Sequence, residues 1–176
     1  MNDAIMSAMG TTASVPVDEY LSSNYDPDVD FVEGKLEDRN VGEKDHAKLQ
    51  LRVVRLLDTG NWFATIETRL RISPTRYRVP DVCVYEHEPE EQVFNTAPWI
   101  VVEVLSPEDR MSRMQRKIED YYGIGCRNIW ILDPWRRKAY QFDGRAIVEV
   151  FELTTRDSRV SLNAAQLFEG AGKKRP

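Results

Sequence analysis

Two acidic residues, Asp81 and Glu103, interrupt the most apolar stretches of this sequence. The stretches around them, 77–85 and 99–107, are short, rich in valine and isoleucine, and contain proline, which is typical of buried strands. A carboxylate in such a strand loses its hydration, so it has to be paired, hydrogen-bonded or bound to a metal ion. Two carboxylates in this situation indicate a cation site.

The chemistry of such a site depends on whether the two strands are neighbours. Side chains alternate along a strand, so we expect Asp81 to share a face with Val79 and Cys83. If the Glu103 strand lies beside it, the two carboxylates converge within a few Å, where like charges repel unless a cation lies between them. Ligation by oxygen atoms alone suits Mg²⁺, with Mn²⁺ as a substitute.

A helix predicted directly after the Glu103 strand brings a third functional group. Lys117 lies one turn after Arg113 and one turn before Tyr121, so the three residues form a stripe. If this helix packs on the sheet, the Lys117 ammonium reaches the carboxylates, where it could orient a water or neutralise charge that develops on a phosphate. On its own, a helix lysine is more often solvated than part of a site.

Length and composition are those of one globular domain, with 176 residues of which 41% are hydrophobic and 30% charged. No apolar run approaches the ~20 residues that a membrane span requires. Two cysteines, Cys83 and Cys126, provide neither a disulfide framework nor zinc spacing. We expect a cytoplasmic protein without membrane contact, with a flexible leader at 1–15, one domain at 16–168 and a polar tail at 169–176.

The net charge of −5 argues against a general nucleic-acid coat, although a clustered basic face could still act on DNA. One basic cluster comprises Arg110, Arg113, Arg116 and Lys117. A second comprises Arg69, Arg71, Arg76 and Arg78. From charge alone, two solvated faces balanced by neighbouring acids are the simpler interpretation.

The elements that must position these residues are helices and strands in mixed order. Helices are predicted at 17–22, 43–57, 109–122 and 162–168. Strands are predicted at 62–72, 79–85, 99–105 and 128–133, with hairpins at 28–38 and 138–151 that turn at Glu33-Gly34 and Asp143-Gly144. Near-continuous apolar strands indicate a central sheet covered on both faces. The predicted fold class is a mixed α/β sheet flanked by helices.

Several segments recur together in one known family. In chain order they are Arg78-Val79-Pro80-Asp81-Val82, Val101-Val102-Glu103-Val104-Leu105-Ser106-Pro107, Lys117 with Tyr121, Gly123 and Ile124, and Trp130-Ile131-Leu132-Asp133-Pro134. Before them come Glu19-Tyr20-Leu21, Phe31-Val32-Glu33-Gly34 and His46. Over roughly residues 17 to 152, the sequence resembles the Uma-two family of restriction-endonuclease-like proteins, within the PD-(D/E)XK nuclease superfamily.

This resemblance implies a restriction-endonuclease-like fold and metal-dependent hydrolysis of DNA phosphodiester bonds. It implies Asp81 and Glu103 as metal ligands, with the backbone carbonyl of Val104 as a further ligand. Leu105 stands where the superfamily has its strand lysine, and in this family the lysine has moved to the helix, at the position that Lys117 matches. The implied catalytic residues are therefore Asp81, Glu103 and Lys117.

Three more residues are second-tier candidates for the site. His46 could be a ligand, a base or a phosphate contact, although a structural role is more common for such a residue. Glu67 could be a further metal ligand or an exposed edge residue. Tyr121 more simply packs the helix on the sheet. Backbone contacts to DNA are expected from the helix that begins at the site, through Arg110, Arg113 and Arg116.

Two alternatives to a nuclease keep the same fold. The missing strand lysine and the negative charge suggest a non-cleaving DNA-binding module. The hairpin at 138–151 suggests a homodimeric scaffold that associates through its sheet edge. A homodimer is also expected for a nuclease, because double-strand cleavage by a single-site fold usually requires two copies.

Overall fold

The computed structural model describes residues 14–39, 43–58, 60–106 and 111–169. Within these ranges the chain forms four helices and twelve strands, arranged in three sheets. Almost all of the predicted leader at 1–15 and tail at 169–176 lies outside the described residues. The predicted domain limits therefore stay predictions.

The first described elements agree with the patterns in the sequence. Helix α1 spans Val17–Ser22, strands β1 and β2 span Asp30–Val32 and Lys35–Glu37, and helix α2 spans Lys44–Leu57. The turn between β1 and β2 places Glu33 and Gly34 at φ values of 51° and 81°. A two-residue hairpin turn requires this left-handed backbone, which glycine adopts at little cost.

The segment from 62 to 85 departs most from the predicted secondary structure. Instead of two strands there are four: β3 at Phe63–Ile66, β4 at Leu70–Ser73, β5 at Arg76–Arg78 and β6 at Val82–Tyr85. Pro80 has no N–H for a strand ladder, and the strand is interrupted around it. Asp81 therefore precedes β6 at a corner, and the prediction that it alternates with Val79 and Cys83 along one strand is wrong.

The second half of the chain begins with the strand that carries Glu103. Strand β7 spans Ile100–Val104, helix α3 Met111–Gly123, β8 Asn128–Asp133, β9 Lys138–Phe142 and β10 Ile147–Val150. The N–H of Asp143 donates to the carbonyl of Ala146. The two turn residues between β9 and β10 are therefore Gly144 and Arg145, one position later than predicted.

The last elements are shorter than the predicted helix at 162–168. Strands β11 and β12, at Glu152–Thr154 and Ser161–Asn163, form an antiparallel pair, and helix α4 covers only Ala164–Leu167. Asn163 ends β12 and caps α4 by accepting a hydrogen bond from the N–H of Ala165. Pairing with β11 thus takes the first two residues of the predicted helix.

The central sheet has six strands in the order β10-β9-β8-β7-β6-β3. Strands β7 and β8 are parallel, and the other neighbours are antiparallel. A parallel pair needs a crossover connection, and α3 provides it. A separate four-stranded sheet has the order β2-β1-β5-β4. The predicted mixed α/β fold is confirmed.

Helices cover both faces of the central sheet. On one face α2 contributes Leu49, Val53 and Leu57 to the core. On the other face α3 contributes Met114, Ile118 and Tyr121. Burial of each such side chain stabilises the fold by about 1.5–3 kcal/mol, so packing fixes α3 against the strand that carries Glu103. Among the described residues, no helix has the length and apolar character needed to cross a membrane.

Candidate active site

Glu103 lies near the end of β7, with its side chain on the face covered by α3. Val101 and Leu105, which share a face with Glu103 by strand alternation, pack in the same core as α3. Lys117 Nζ donates hydrogen bonds to Oε2 and Oε1 of Glu103 at 2.9 and 3.1 Å, and the Tyr121 hydroxyl donates to Oε1. The stripe predicted on the helix therefore faces this carboxylate, which is only 2% exposed.

Asp81 reaches the same place from the corner before β6. Its Oδ2 accepts a hydrogen bond from the N–H of Val104 at 2.7 Å and lies 3.3 Å from Nε2 of His46. Its Oδ1 accepts a hydrogen bond from Nη2 of Arg39 at 2.8 Å. The contact with Val104 ties Asp81 to the residue directly after Glu103. The corner, rather than strand alternation, brings the two acids together.

A cavity of about 30 Å³ lies between these groups. This volume is enough for one water molecule or small ion. Its lining includes Arg39, His46, Asp81, Glu103, Val104, Arg113 and Lys117. The N–H and C=O groups of one residue in a strand point to the same neighbour, so the Val104 carbonyl is directed to the side of Asp81.

The oxygen atoms that could hold a metal ion here come from Asp81, Glu103 and the Val104 carbonyl. In the described ranges, no group of three or more His, Cys, Asp and Glu side chains is arranged to bind a metal. Mg²⁺ usually keeps several waters and is held by one or two carboxylates, so this small donor set fits Mg²⁺. Arg39 contacts Asp81 and Lys117 contacts Glu103, and a bound ion would replace part of these contacts.

The pKa values of the two acids shift in opposite directions. Burial raises the pKa of Asp81, but the hydrogen bond and charge of His46, together with Lys117 and Arg39, bring it below its ordinary value. Burial also raises the pKa of Glu103; Lys117 opposes this shift, the nearby Asp81 adds to it, and the pKa stays above its ordinary value. Charged partners therefore dominate at Asp81, and loss of water dominates at Glu103.

The pKa values of the basic groups Lys117 and His46 are both raised above their ordinary values. Burial lowers the pKa of Lys117, but Asp30, Glu103 and Asp81 raise it above its ordinary value. Burial lowers the pKa of His46 too, and Asp81 more than compensates through a hydrogen bond and its charge. The cavity lining thus combines two acidic side chains, Asp81 and Glu103, with four basic ones, Arg39, His46, Arg113 and Lys117.

Comparison with known proteins shows the family to which this chain belongs. A family model described as "Putative restriction endonuclease", Uma2, matches residues 17–167. The chain belongs to the Uma2 family. Among solved structures, the crystal structure of a "putative nuclease belonging to DUF820" from Anabaena variabilis ATCC 29413 is similar, with a TM-score of 0.73 and 20% identity over 86% of this chain and 96% of that chain. This likeness shows a shared nuclease fold. No curated protein matches the chain.

Behind Lys117, this Uma2-family chain has a second layer of buried charges. Arg78 is 1% exposed, and its guanidinium lies within 2.8 to 3.2 Å of carboxylate oxygens of Asp120, Glu37 and Asp30. The basic cluster predicted from Arg69, Arg71, Arg76 and Arg78 is therefore not one solvated face. Arg69 pairs with Asp28, and Arg76 pairs with Asp120 and Glu33.

The remaining predicted residues lie at different distances from the cavity. Glu67 is outside its lining, with a side chain 47% exposed and 3.8 Å from Arg39. Arg113 lines the cavity, whereas Arg116 is exposed on another face of α3. Arg110 lies outside the described residues. The roles proposed for these residues stay predictions.

Two residues that contact Asp81, Gln50 and Arg39, were not predicted from the sequence. Gln50 donates to Asp81 Oδ1 at 3.4 Å and to Glu67 at 3.1 Å. The sequence feature that could have indicated Gln50 is its position one helical turn after His46, on the apolar face of α2. Arg39 carried no periodic signal, because it follows the β1–β2 hairpin and lies outside any helix or strand.

Proposed function

We propose that this protein is a Mg²⁺-dependent endonuclease that hydrolyses DNA phosphodiester bonds, with Mn²⁺ as a possible substitute. The observation that carries the proposal is the Lys117 ammonium, 2.9 Å from Glu103 and facing the cavity that Asp81 also lines. A helix lysine at this point supplies the charge that Leu105 cannot. Membership of a family of restriction-endonuclease-like proteins supports the class of reaction.

Each residue has a distinct proposed role. Asp81, Glu103 and the Val104 carbonyl would hold the ion, which when bound supplies polarisation of the scissile phosphate and activation of an attacking water. Lys117 positions that water or neutralises charge that develops on the phosphate. His46, beside Asp81, would contact the phosphate.

Contacts to the DNA backbone are proposed for Arg113, Arg116 and Arg110. Nη2 of Arg113 is buried without a hydrogen-bond partner among the described residues, although it lies 3.7 Å from Asp30. A buried donor of this kind is usually satisfied, and a phosphate oxygen in the cavity would satisfy it. This supports Arg113 as the contact nearest to the scissile bond.

We also propose that the active form is a homodimer. Strand β10 is one edge of the central sheet, and the apolar side chains of Val148 and Phe151 beside it are 42% and 88% exposed. An edge strand of this kind can pair with a second copy of itself. Light scattering on the purified protein tests this proposal, and a monomer at the concentrations used for cleavage would contradict it.

A plasmid-nicking assay with Mg²⁺, Mn²⁺ or a chelator tests the nuclease proposal. We expect metal-dependent nicking by the wild type and a loss of at least about 100-fold in Asp81→Asn, Glu103→Gln and Lys117→Met. Asp133→Asn is the matched control, because Asp133 is also a buried carboxylate but caps a turn outside the cavity lining. Full activity of either acid variant would refute the assignment.

The same samples separate cleavage from binding. Calorimetric titration of Mg²⁺ should detect an ion in the wild type and none in the Asp81→Asn/Glu103→Gln double variant. A salt-sensitive shift of DNA by the wild type without products at any divalent concentration would instead indicate a non-cleaving DNA-binding module.

A further inference from the structure

The Lys117 ammonium lies between two buried carboxylates rather than beside one. It is 2.9 Å from Oε2 of Glu103 and 3.8 Å from Oδ2 of Asp30. Glu103 belongs to the central sheet, whereas Asp30 belongs to β1 of the four-stranded sheet. Lys117 is 6% exposed and Asp30 is fully buried, so water compensates little of either charge.

Glu103 cannot use the same oxygen atoms to accept hydrogen bonds from Lys117 and to bind a cation. Both of its carboxylate oxygens accept hydrogen bonds from Lys117, and one of them also accepts from Tyr121. A cation bound at Glu103 takes at least part of this capacity. A buried ammonium without an anionic partner is strongly disfavoured, so Lys117 would then leave the cavity unless another carboxylate holds it.

Asp30 is fixed by contacts that do not involve Lys117. Its Oδ1 accepts a hydrogen bond from the N–H of Val79 at 2.8 Å, and its Oδ2 accepts one from Arg78 at 3.2 Å. Arg113 lies 3.7 Å from the same Oδ2. The carboxylate therefore stays in place whichever partner Lys117 takes. Through Val79 it is also tied to the corner that carries Asp81.

We propose that Asp30 is a positioning residue that retains Lys117 in the active site when Glu103 is engaged by a cation. The role of Asp30 in the active site rests on the proposed nuclease function, but the contact between Asp30 and Lys117 can be tested without nuclease activity. Asp30 acts through Lys117 and Val79, so it is not a catalytic residue. A helix lysine can then replace a strand lysine, because a second anion holds it over the site.

Acetylation of lysines in the metal-free protein, read by mass spectrometry, tests this proposal without any need for cleavage. Glu103→Gln removes the charge of Glu103 at nearly unchanged shape and so imitates a carboxylate that is no longer available to Lys117. We expect Lys117 to stay protected in Glu103→Gln and to be labelled about tenfold faster in Glu103→Gln/Asp30→Asn. The control Glu103→Gln/Glu37→Gln removes a different carboxylate from Arg78 and should leave Lys117 protected.

Equal labelling of Lys117 in Glu103→Gln and Glu103→Gln/Asp30→Asn, both folded by circular dichroism, would overturn the proposal. If the double variant does not fold, single variants in the nicking assay decide. We expect kcat per folded molecule, with the folded fraction measured by circular dichroism, to fall about tenfold at unchanged KM in Asp30→Asn and to recover in Asp30→Glu. A wild-type kcat in Asp30→Asn would refute the role. A wild type that never nicks DNA would count against the nuclease proposal instead and leave the labelling result standing.

Discussion

At the residue scale, the two acids of the site differ in the donors that surround them. Asp81 accepts a hydrogen bond from the backbone N–H of Val104 and contacts the side chains of Arg39 and His46. Glu103 receives its hydrogen bonds from side chains of α3. The pKa of Asp81 is lowered and that of Glu103 is raised. Acids with separated pKa values around one cavity are common in active sites, although ion pairs in structural networks also produce them.

Removal of one hydroxyl tests how much the helix contributes to holding Glu103. We expect Tyr121→Phe to lower the free energy of unfolding by about 1.5–3 kcal/mol, because it deletes a buried hydrogen bond to a charged group. Urea denaturation measures this change. Tyr122→Phe, a neighbouring tyrosine in the same helix that does not contact Glu103, is the control. An unchanged free energy of unfolding in Tyr121→Phe would show that the hydroxyl does not hold the carboxylate.

Cys126 gives a pH-dependent prediction outside the site. Burial raises the pKa of its thiol to about 12, above the unfolded value of about 8.5. The folded state therefore binds the proton more tightly, and this contribution to stability is complete below about pH 8.5 and is lost as the pH rises towards 12. We expect no reaction with a disulfide reagent at pH 8 until guanidinium is added. Fast reaction of both cysteines in the native protein would contradict this.

At the element scale, local signals in the sequence were sufficient for some elements and not for others. Helix α1 and strands β8 and β9 have the predicted bounds, because apolar patterns and breakers mark them locally. The corner at Asp81 was missed, because the apolar residues on both sides of Pro80 have the pattern of one continuous strand. Strands β11 and β12 were also missed, because each has only three residues and is stabilised by pairing with the other. Glu103 was predicted because it is an acid within an apolar strand, and Lys117 because its helix follows that strand and its position matches the family resemblance.

Glycine substitutions test the hairpin that places Asp30. Gly34 has a φ of 81°, so Gly34→Ala forces an alanine into the left-handed region and should destabilise the fold by about 1–2 kcal/mol. Gly123 ends α3 without a left-handed φ, and a methyl group added there would meet no other atom within 4 Å among the described residues. Gly123→Ala should therefore be neutral or stabilising by up to about 1 kcal/mol. Thermal denaturation of the two variants measures the contrast, and equal effects would contradict it.

At the scale of the whole molecule, the site is assembled from parts that are distant in the chain. Glu103 comes from the central sheet, His46 from α2, Lys117 from α3, and Asp30 from the four-stranded sheet. The net charge of −5 is that of the whole chain, whereas several basic side chains surround the cavity. DNA should therefore approach by the face on which α3 begins.

Substitution of exposed arginines tests whether DNA approaches by this face. We expect Arg116→Ala to weaken DNA binding at every sequence and to reduce the salt dependence of log K by about one phosphate contact. The control is Arg145→Ala, in the turn between β9 and β10 at the opposite end of the central sheet. Fluorescence anisotropy over a series of salt concentrations measures both slopes. Equal slopes for the two variants would place the DNA elsewhere.

The packing of Leu105 limits where this chain can carry a second ammonium group. Leu105 lies in the apolar core between β7 and α3, beside the face from which Lys117 reaches Glu103. A lysine at position 105 would share that space with Lys117, whereas loss of Lys117 alone would leave Glu103 without its cation. The side chains at positions 105 and 117 are therefore coupled, and a change at one restricts what the other can be.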